Sequence, residues 1–343
     1  MKAAVIHDYG EGFDTIKYED VQTPVPGSGE LLIKVHANAV NHCDTDLRKG
    51  LFGVASSMPH VMGVDAVGEV VHVGDGVTQF KPGDRVAPHF MLTCGVCRDC
   101  IDGKENLCAN ADVLGVTVWG GYAEYLKCGQ NHVVRIPDGL SWVDAVAGQV
   151  PFATAWEALV EVAKIRAGET VLVTAAGGGV GSAGVQIAKL AGARVIAAAG
   201  DDGKLERARA LGADEVINYQ KEHIGEAARA LTDGRGVDLC LEMIGGNILV
   251  QSIDALAAGA RMATIGAHGG EQVNLDFVEF FRKHITVHGC GRSTKAQVER
   301  VLDLMARGKL KPVVHKTFGL DEAAAAHEVM ESRNFFGRMV LTR

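Results

Sequence analysis

ETVLVTAAGGGVGSAGVQIAKLAGARVIAAAG, residues 169–200, decides the fold. A β-branched run at 171–174 meets Ala175 and Ala176 and then Gly177, Gly178 and Gly179. Val180 and Gly181 open a helical pattern carried by Val185, Ile187, Ala188 and Leu190, and a second apolar run covers 194–199. Strand, glycine turn, helix and strand in that order make a βαβ unit shaped to hold a dinucleotide. Gly178 lets backbone approach a pyrophosphate, Gly181 lets the helix pack close to the strand, and the helix N-terminus offers free N–H groups to phosphate. Ala176 stands at the first glycine position, so the pattern is AxGxxG, and the flanking strands and helix give it its weight.

The totals bound what surrounds this unit. A chain of 343 residues suggests two or three domains, and 47% hydrophobic with 22% charged residues is ordinary for a soluble globular protein. A net charge of −8 argues against nucleic-acid or anionic-membrane partners, which need a basic face. No apolar run approaches the length of a spanning helix, and Met1-Lys2 leads into strand-like AAVI, so a cytoplasmic protein acting on a small molecule is expected. There the eight cysteines stay reduced, as metal ligands or core thiols.

In the N-terminal half, strand-like runs at 2–7, 31–39 and 67–73 alternate with glycine and proline turns, and KPGDRV (81–86) feeds another strand. Such punctuation predicts a small, mostly antiparallel, barrel-like domain. Cys94, Cys97, Cys100 and Cys108 follow with the spacing C-x2-C-x2-C-x7-C. Four thiolates this close can enclose one ion tetrahedrally, and a filled shell suits a structural zinc that staples a loop. An iron–sulfur cluster is the alternative, with a spacing unlike the common ferredoxin runs.

NHCDTDLRKG, PHVMGVDAVGEVVHVGDGV, KPGDRV, the four-cysteine stretch, GGYAEY, ATAWEAL, AAGGGVG, KLERARALGADEVINY, GVDLCLEMIGG and FGRMVL run nearly end to end. In these motifs the chain resembles the medium-chain dehydrogenase/reductases, the family of zinc alcohol dehydrogenases and NADPH:quinone oxidoreductases. The resemblance implies an α/β protein with a GroES-like domain over 1–151 and 291–343 and a doubly wound Rossmann domain over 152–290. It implies a homodimer or homotetramer, paired through a last strand at 285–288.

The resemblance also locates a catalytic-metal site to be tested. Where zinc-dependent relatives place cysteine, histidine and cysteine, this chain has Asn41, Val64 and Val150. Valine cannot ligate a metal, so a catalytic zinc is not expected. Cys43 takes the position of a proton-relaying hydroxyl residue. His42, Cys43 and Asp65 could rebuild a metal site only in altered geometry. Asn41, Cys43 and Asp65 are the candidate catalytic residues, with the Asn41 amide a donor to an acceptor oxygen. Phe52, His89, Phe90 and Trp119 are candidate pocket walls, and loops at 50–58 and 274–282 shape that pocket. The expected reaction is NADPH-dependent hydride transfer to a quinone or α,β-unsaturated carbonyl. An alcohol/aldehyde dehydrogenase with an atypical metal site, or a crystallin-like nucleotide-binding protein without turnover, are the alternatives.

In the C-terminal half, Leu205, Ala208 and Leu211 predict a helix stopped by Gly212, and strands are expected at 215–219, 236–241 and 260–266. Two further helices, on Val298–Met305 spacing and over 323–330, precede a closing strand at 338–341. Cys128, Cys240 and Cys290 sit in apolar settings and are expected to be buried. The resemblance assigns Thr154, Gly178, Gly179, Val180, Gly181, Lys204, Tyr219 and Gly266 to the cofactor. Ala199 stands where NAD-specific relatives carry a carboxylate for the ribose 2′-OH, which favours NADPH over NADH. Asp201 and Asp202 nearby oppose a 2′-phosphate.

Overall fold

Residues 169–200 fold as strand Thr170–Val173, helix Gly179–Leu190 and strand Arg194–Ala199. The computed structural model that shows this describes residues 1–52 and 57–343. The chain divides into two units, 1–150 with 294–343 and 151–293. The stretch 50–58, expected to shape a pocket, contains residues 53–56, which lie outside the described residues.

The unit 151–293 carries one six-stranded sheet, every neighbouring pair parallel. Numbered within the unit, its strand order is 3-2-1-4-5-6, the doubly wound dinucleotide-binding order. Glu215–Asn218, Val237–Glu242, Leu256–Thr264 and Thr286–Gly289 complete it. Leu172, Ile196, Ile217, Cys240 and Met262 are buried across these strands, so the expected apolar runs form the core. The strand expected from 260 begins at Leu256, and its register against Val237–Glu242 slips between Val237 and Leu239. The turn-like Ala-Ala-Gly there hides strand from a pattern reading.

Steric limits make the glycine turn. Ala175 sits at φ +46°, a left-handed conformation that costs a non-glycine residue strain. Its carbonyl accepts the Gly178 N–H at 2.9 Å. A Cβ at Gly181 would stand 2.1 Å from that same oxygen. The close helix–strand approach itself is made at Gly184, where a Cβ would meet Leu241 Cδ2 at 2.5 Å. At Gly178 the nearest atom to an added Cβ is that oxygen at 3.4 Å, an ordinary contact. The fold does not require glycine there.

The other unit is built on a seven-stranded sheet around the long strand Glu30–Ala39. That strand pairs antiparallel with Ala66–Val73, Tyr125–Gly129 and the closing strand Arg338–Thr342. One pair, Val314–Gly319 with Arg338–Thr342, is parallel. A three-stranded sheet centred on Lys2–Ile6 stands beside it. Among the described residues no helix is long and apolar enough to cross a membrane.

Gly181→Ala and Gly178→Ala therefore separate fold from ligand. Gly181→Ala is expected to cost about 1–3 kcal/mol of stability by overpacking. Gly178→Ala is expected to stay within about 0.5 kcal/mol, as surface changes do, while weakening nicotinamide-dinucleotide binding. Urea unfolding and cofactor titration of both variants check this.

Candidate functional site

Strand register places the first part of the site. The pairing of Val340 with Ala39, continued by Val40 N–H to Met339 O at 3.1 Å, brings Arg338 beside Asn41. Arg338 donates from Nη1 to Asn41 Oδ1 and from Nη2 to Asp65 Oδ2, each at 2.8 Å. Gln149, from the helix Trp142–Trp156, donates Nε2 to Asp65 Oδ1 at 2.5 Å. Asp65 is fully buried and Arg338 and Gln149 nearly so. A guanidinium only donates, so Asn41 must turn Oδ1 to it, leaving Nδ2 to donate to Ala39 O at 3.0 Å and towards Asp65. The Asn41 amide is thus held inside this network. Asn41, Asp65 and Gln149 are the three positions without metal ligands or their direct neighbours, and Arg338 joins two of them.

A second buried group braces the same segments. Asn41 precedes the helix His42–Lys49, and its N–H donates to Asp44 Oδ2 at 2.8 Å. Asp44 Oδ1 accepts the Val64 N–H at 3.1 Å. Tyr122 OH lies 3.3 Å from Asp44 Oδ2 and 3.3 Å from His327 Nε2. Gly63, at φ +102°, has to be glycine here, since a Cβ would meet the Tyr122 ring at 2.3 Å. Burial pushes the Asp44 carboxyl up to about 7 against the opposing pull of the Asn41 and Val64 N–H groups. Burial likewise pushes Asp65 up to about 6, Arg338 being the main counterweight. Cys43 is half-buried, and burial with Asp44 nearby holds its thiol well above the usual cysteine value, so it stays S–H. Burial drives His327 down to about 3, so it is neutral.

The expected pocket walls fall unevenly. His89 is buried, its ring 5.0 Å from that of Phe90. Phe90 and Trp119 pack against the core of this unit, and Phe52 is exposed. Cys128 and Cys240 are buried as expected, but Cys290 is only half-buried, because it follows the exposed edge strand Thr286–Gly289.

The four cysteines converge. Sγ separations are 3.6 Å for Cys94–Cys108, 3.9 Å for Cys97–Cys108 and 4.0 Å for Cys94–Cys100. A tetrahedral ion with metal–sulfur bonds near 2.3 Å needs sulfurs about 3.8 Å apart, so the cluster fits zinc. Backbone N–H groups of Val96 and Cys97 lower the Cys94 thiol, while burial raises that of Cys100. Among the described residues this is the one group of three or more His, Cys, Asp or Glu ligand atoms within 4.8 Å of one another. His42, Cys43 and Asp65 form no such group, and Asp65 is engaged by Arg338 and Gln149 instead.

In the other unit, Gly178, Gly179, Val180 and Gly181 form the turn and first helical residues at the C-terminal end of the central strand. Lys204 packs on Gly177, whose added Cβ would meet its Cδ at 2.8 Å, and Tyr219 lies against Gly200 at 3.0 Å by the same measure. Gly266 is pressed on Met243 O, 2.7 Å from its would-be Cβ, and Thr154 is buried in the helix Trp142–Trp156. Each of the two acidic residues has a partner. Asp201 caps the helix Asp202–Ala210 by accepting the Lys204 N–H at 3.0 Å. Asp202 accepts from Asn218 Nδ2 at 2.6 Å and pairs with Lys221 at 2.5 Å. The open face at Gly178 and the helix start fit a dinucleotide phosphate.

Arg338→Ala strands a buried carboxylate and is expected to destabilise the fold by about 3–5 kcal/mol, with Asp65→Asn added to it recovering part; urea unfolding of both decides. Asp44 and Asp65 have folded values raised above the ordinary carboxyl range. Their stabilising contribution is therefore complete below about pH 4 and is lost as pH rises through 6 to 7. Unfolding free energies at pH 5 and pH 8 are expected to fall less with pH in Asp44→Asn than in the parent protein.

Residues 27–138 match the alcohol dehydrogenase GroES-like domain, and residues 179–307 match the zinc-binding dehydrogenase family. A quinone oxidoreductase of Rattus norvegicus is 32% identical over 99% of this chain and 97% of its own. An acryloyl-coenzyme A reductase of Metallosphaera sedula is 32% identical over the full length of both. Among solved structures, an NAD-dependent alcohol dehydrogenase superposes over the full length of both chains with a TM-score of 0.96 and 39% identity. The chain belongs to the medium-chain dehydrogenase/reductase superfamily, and it is an NAD(P)H-dependent oxidoreductase.

Proposed function

We propose that this oxidoreductase moves hydride from NADPH to a quinone or an α,β-unsaturated carbonyl without a catalytic metal. The observation that carries the reading is the Asn41–Arg338–Asp65–Gln149 network beside Val64 and Val150. These positions offer no soft or imidazole ligand, and the carboxylate among them already accepts from two side chains. The names of two relatives, a quinone oxidoreductase and an acryloyl-coenzyme A reductase, agree with such an acceptor.

The nicotinamide, when bound, supplies the hydride; the chain's residues position and polarise. An acceptor conjugated to a carbonyl takes hydride at carbon and spreads charge to oxygen, so fixed positive charge helps it. Arg338 is the cation of this site, and the Asp65 carboxylate it pairs with offsets its charge. The bond from Arg338 to Asn41 Oδ1 fixes the amide, whose Nδ2 donates to Ala39 O and towards Asp65. Cys43, kept as a neutral thiol, hands on a proton in this reading. Gly178 to Gly181 hold the pyrophosphate, and Lys204 and Tyr219 receive the 2′-phosphate. The partners of Asp201 and Asp202 support NADPH over NADH. Self-association into a homodimer or homotetramer is part of the same reading. Phe277, Val278, Phe281 and Val287 are exposed on and near the edge strand Thr286–Gly289, a surface suited to a second copy.

An acceptor panel followed by the loss of reduced-cofactor absorbance tests this reading. A benzoquinone, an enone and acryloyl-coenzyme A are expected to oxidise NADPH faster than any simple aldehyde does. Cys43→Ala is expected to lower kcat about 100- to 10,000-fold with the enone, the range of one proton-transfer group. Turnover confined to alcohols and aldehydes would refute the reading.

A further inference from the structure

The end of the strand Arg194–Ala199 is where a nicotinamide dinucleotide with a 2′-phosphate is told from one without. Charged side chains gather there, among them Asp201, Asp202, Lys204 and Lys221, two negative and two positive, with Glu222 accepting the Asn218 N–H at 3.3 Å. Parallel pairing sets Ala199 against Asn218, and Tyr219 N–H continues it to Ala199 O at 3.2 Å. That register carries Asn218 and Lys221 to Asp202 at the start of the next helix. Asp202 is thereby held on both oxygens, Oδ1 by Asn218 Nδ2 and Oδ2 by Lys221 Nζ. Asp201 gives one oxygen to the helix cap.

We propose that Lys221 is a specificity-determining residue for the cofactor: by holding Asp202 it cancels the charge that would repel a 2′-phosphate and occupies the oxygen that would accept a ribose 2′-OH. The inference rests on the NADPH reading above, which assigned the phosphate to Lys204 and Tyr219 and left Lys221 without a role. Without Lys221 the four-residue group carries a net negative charge and Asp202 Oδ2 becomes an acceptor. Both changes favour NADH. Without Asp202 the group is net positive and favours NADPH more strongly. The side chains are about two-thirds exposed, 65% for Lys221 and 64% for Asp202, so the fold tolerates their exchange. The same exposure sets the size of the effect. One unit charge lost within a Debye length of a near-dianionic phosphate, under water-like screening, changes affinity about five- to tenfold.

The test is titration of the zinc-loaded protein with NADPH and with NADH, by calorimetry or fluorescence, for the parent, Lys221→Gln, Asp202→Asn and the double variant. The ratio of the two Kd values is the readout. Lys221→Gln is expected to shift it about five- to tenfold towards NADH and Asp202→Asn to shift it towards NADPH. The double variant is expected to return near the parent, and each shift to shrink in 0.5 M salt. A ratio unchanged by Lys221→Gln, or equal weakening of both cofactors, overturns the inference. The parent's own ratio tests the NADPH reading separately. A parent that prefers NADH would defeat that reading, while the shift on Lys221→Gln still judges the residue.

Discussion

A guanidinium and a carboxylate removed from water hold the candidate site in shape. Arg338 and Asp65 are 273 positions apart in sequence, and their contact closes the long sheet at Glu30–Ala39 onto the segment around Val64. Burial makes such a pair expensive alone, and it persists when every lone pair finds a donor. Gln149 and Asn41 meet that demand at Asp65, while Arg338 Nε and Gln149 Oε1 are left without a hydrogen-bond partner, and the ion pair joins the ends of four segments. A metal ion would cross-link the same positions through ligands this chain does not possess. Asp44 makes the second brace, gripping the backbone of Asn41 and Val64 from beneath.

The glycine turn imposes a different constraint. Ala175 is held left-handed, and its carbonyl lies so close to Gly181 that no side chain fits there. The strained turn leaves the backbone N–H groups of the helix start facing outward, a geometry that suits a phosphate. At the rim of this turn, Asp202 is held by Asn218 and by the exposed Lys221.

Much of this was legible in the sequence, and the reason is local. The βαβ unit needs only turn chemistry and period, so Arg194–Ala199 fell where the pattern placed it. Four cysteines within fifteen residues are brought together by chain geometry alone. The missing metal ligands could be read by position. What could not be read is what stands in their place. Arg338 was placed only as the first residue of a closing strand, and Gln149 was not singled out. Tyr122 and His327, 205 positions apart, gave no joint signal. Their partners lie across the sheet, and single-sequence patterns carry no information about which buried charges meet. Two clues were present: an arginine beginning the apolar run RMVL, and a glutamine amid AVAG and VPF. Cys290 was misplaced because a short apolar strand reads the same at a sheet edge as at its centre. Leu256–Thr264 started early because small residues conceal a strand.

The central claim is that hydride leaves this cofactor site for a conjugated acceptor with zinc only at Cys94, Cys97, Cys100 and Cys108. Metal content measured on the same purified, NADPH-oxidising sample tests it most directly. The account predicts about one zinc per chain, with quinone or enone reduction intact and no gain on added metal. Two metal ions per chain, with turnover rising and falling with the second, would contradict it.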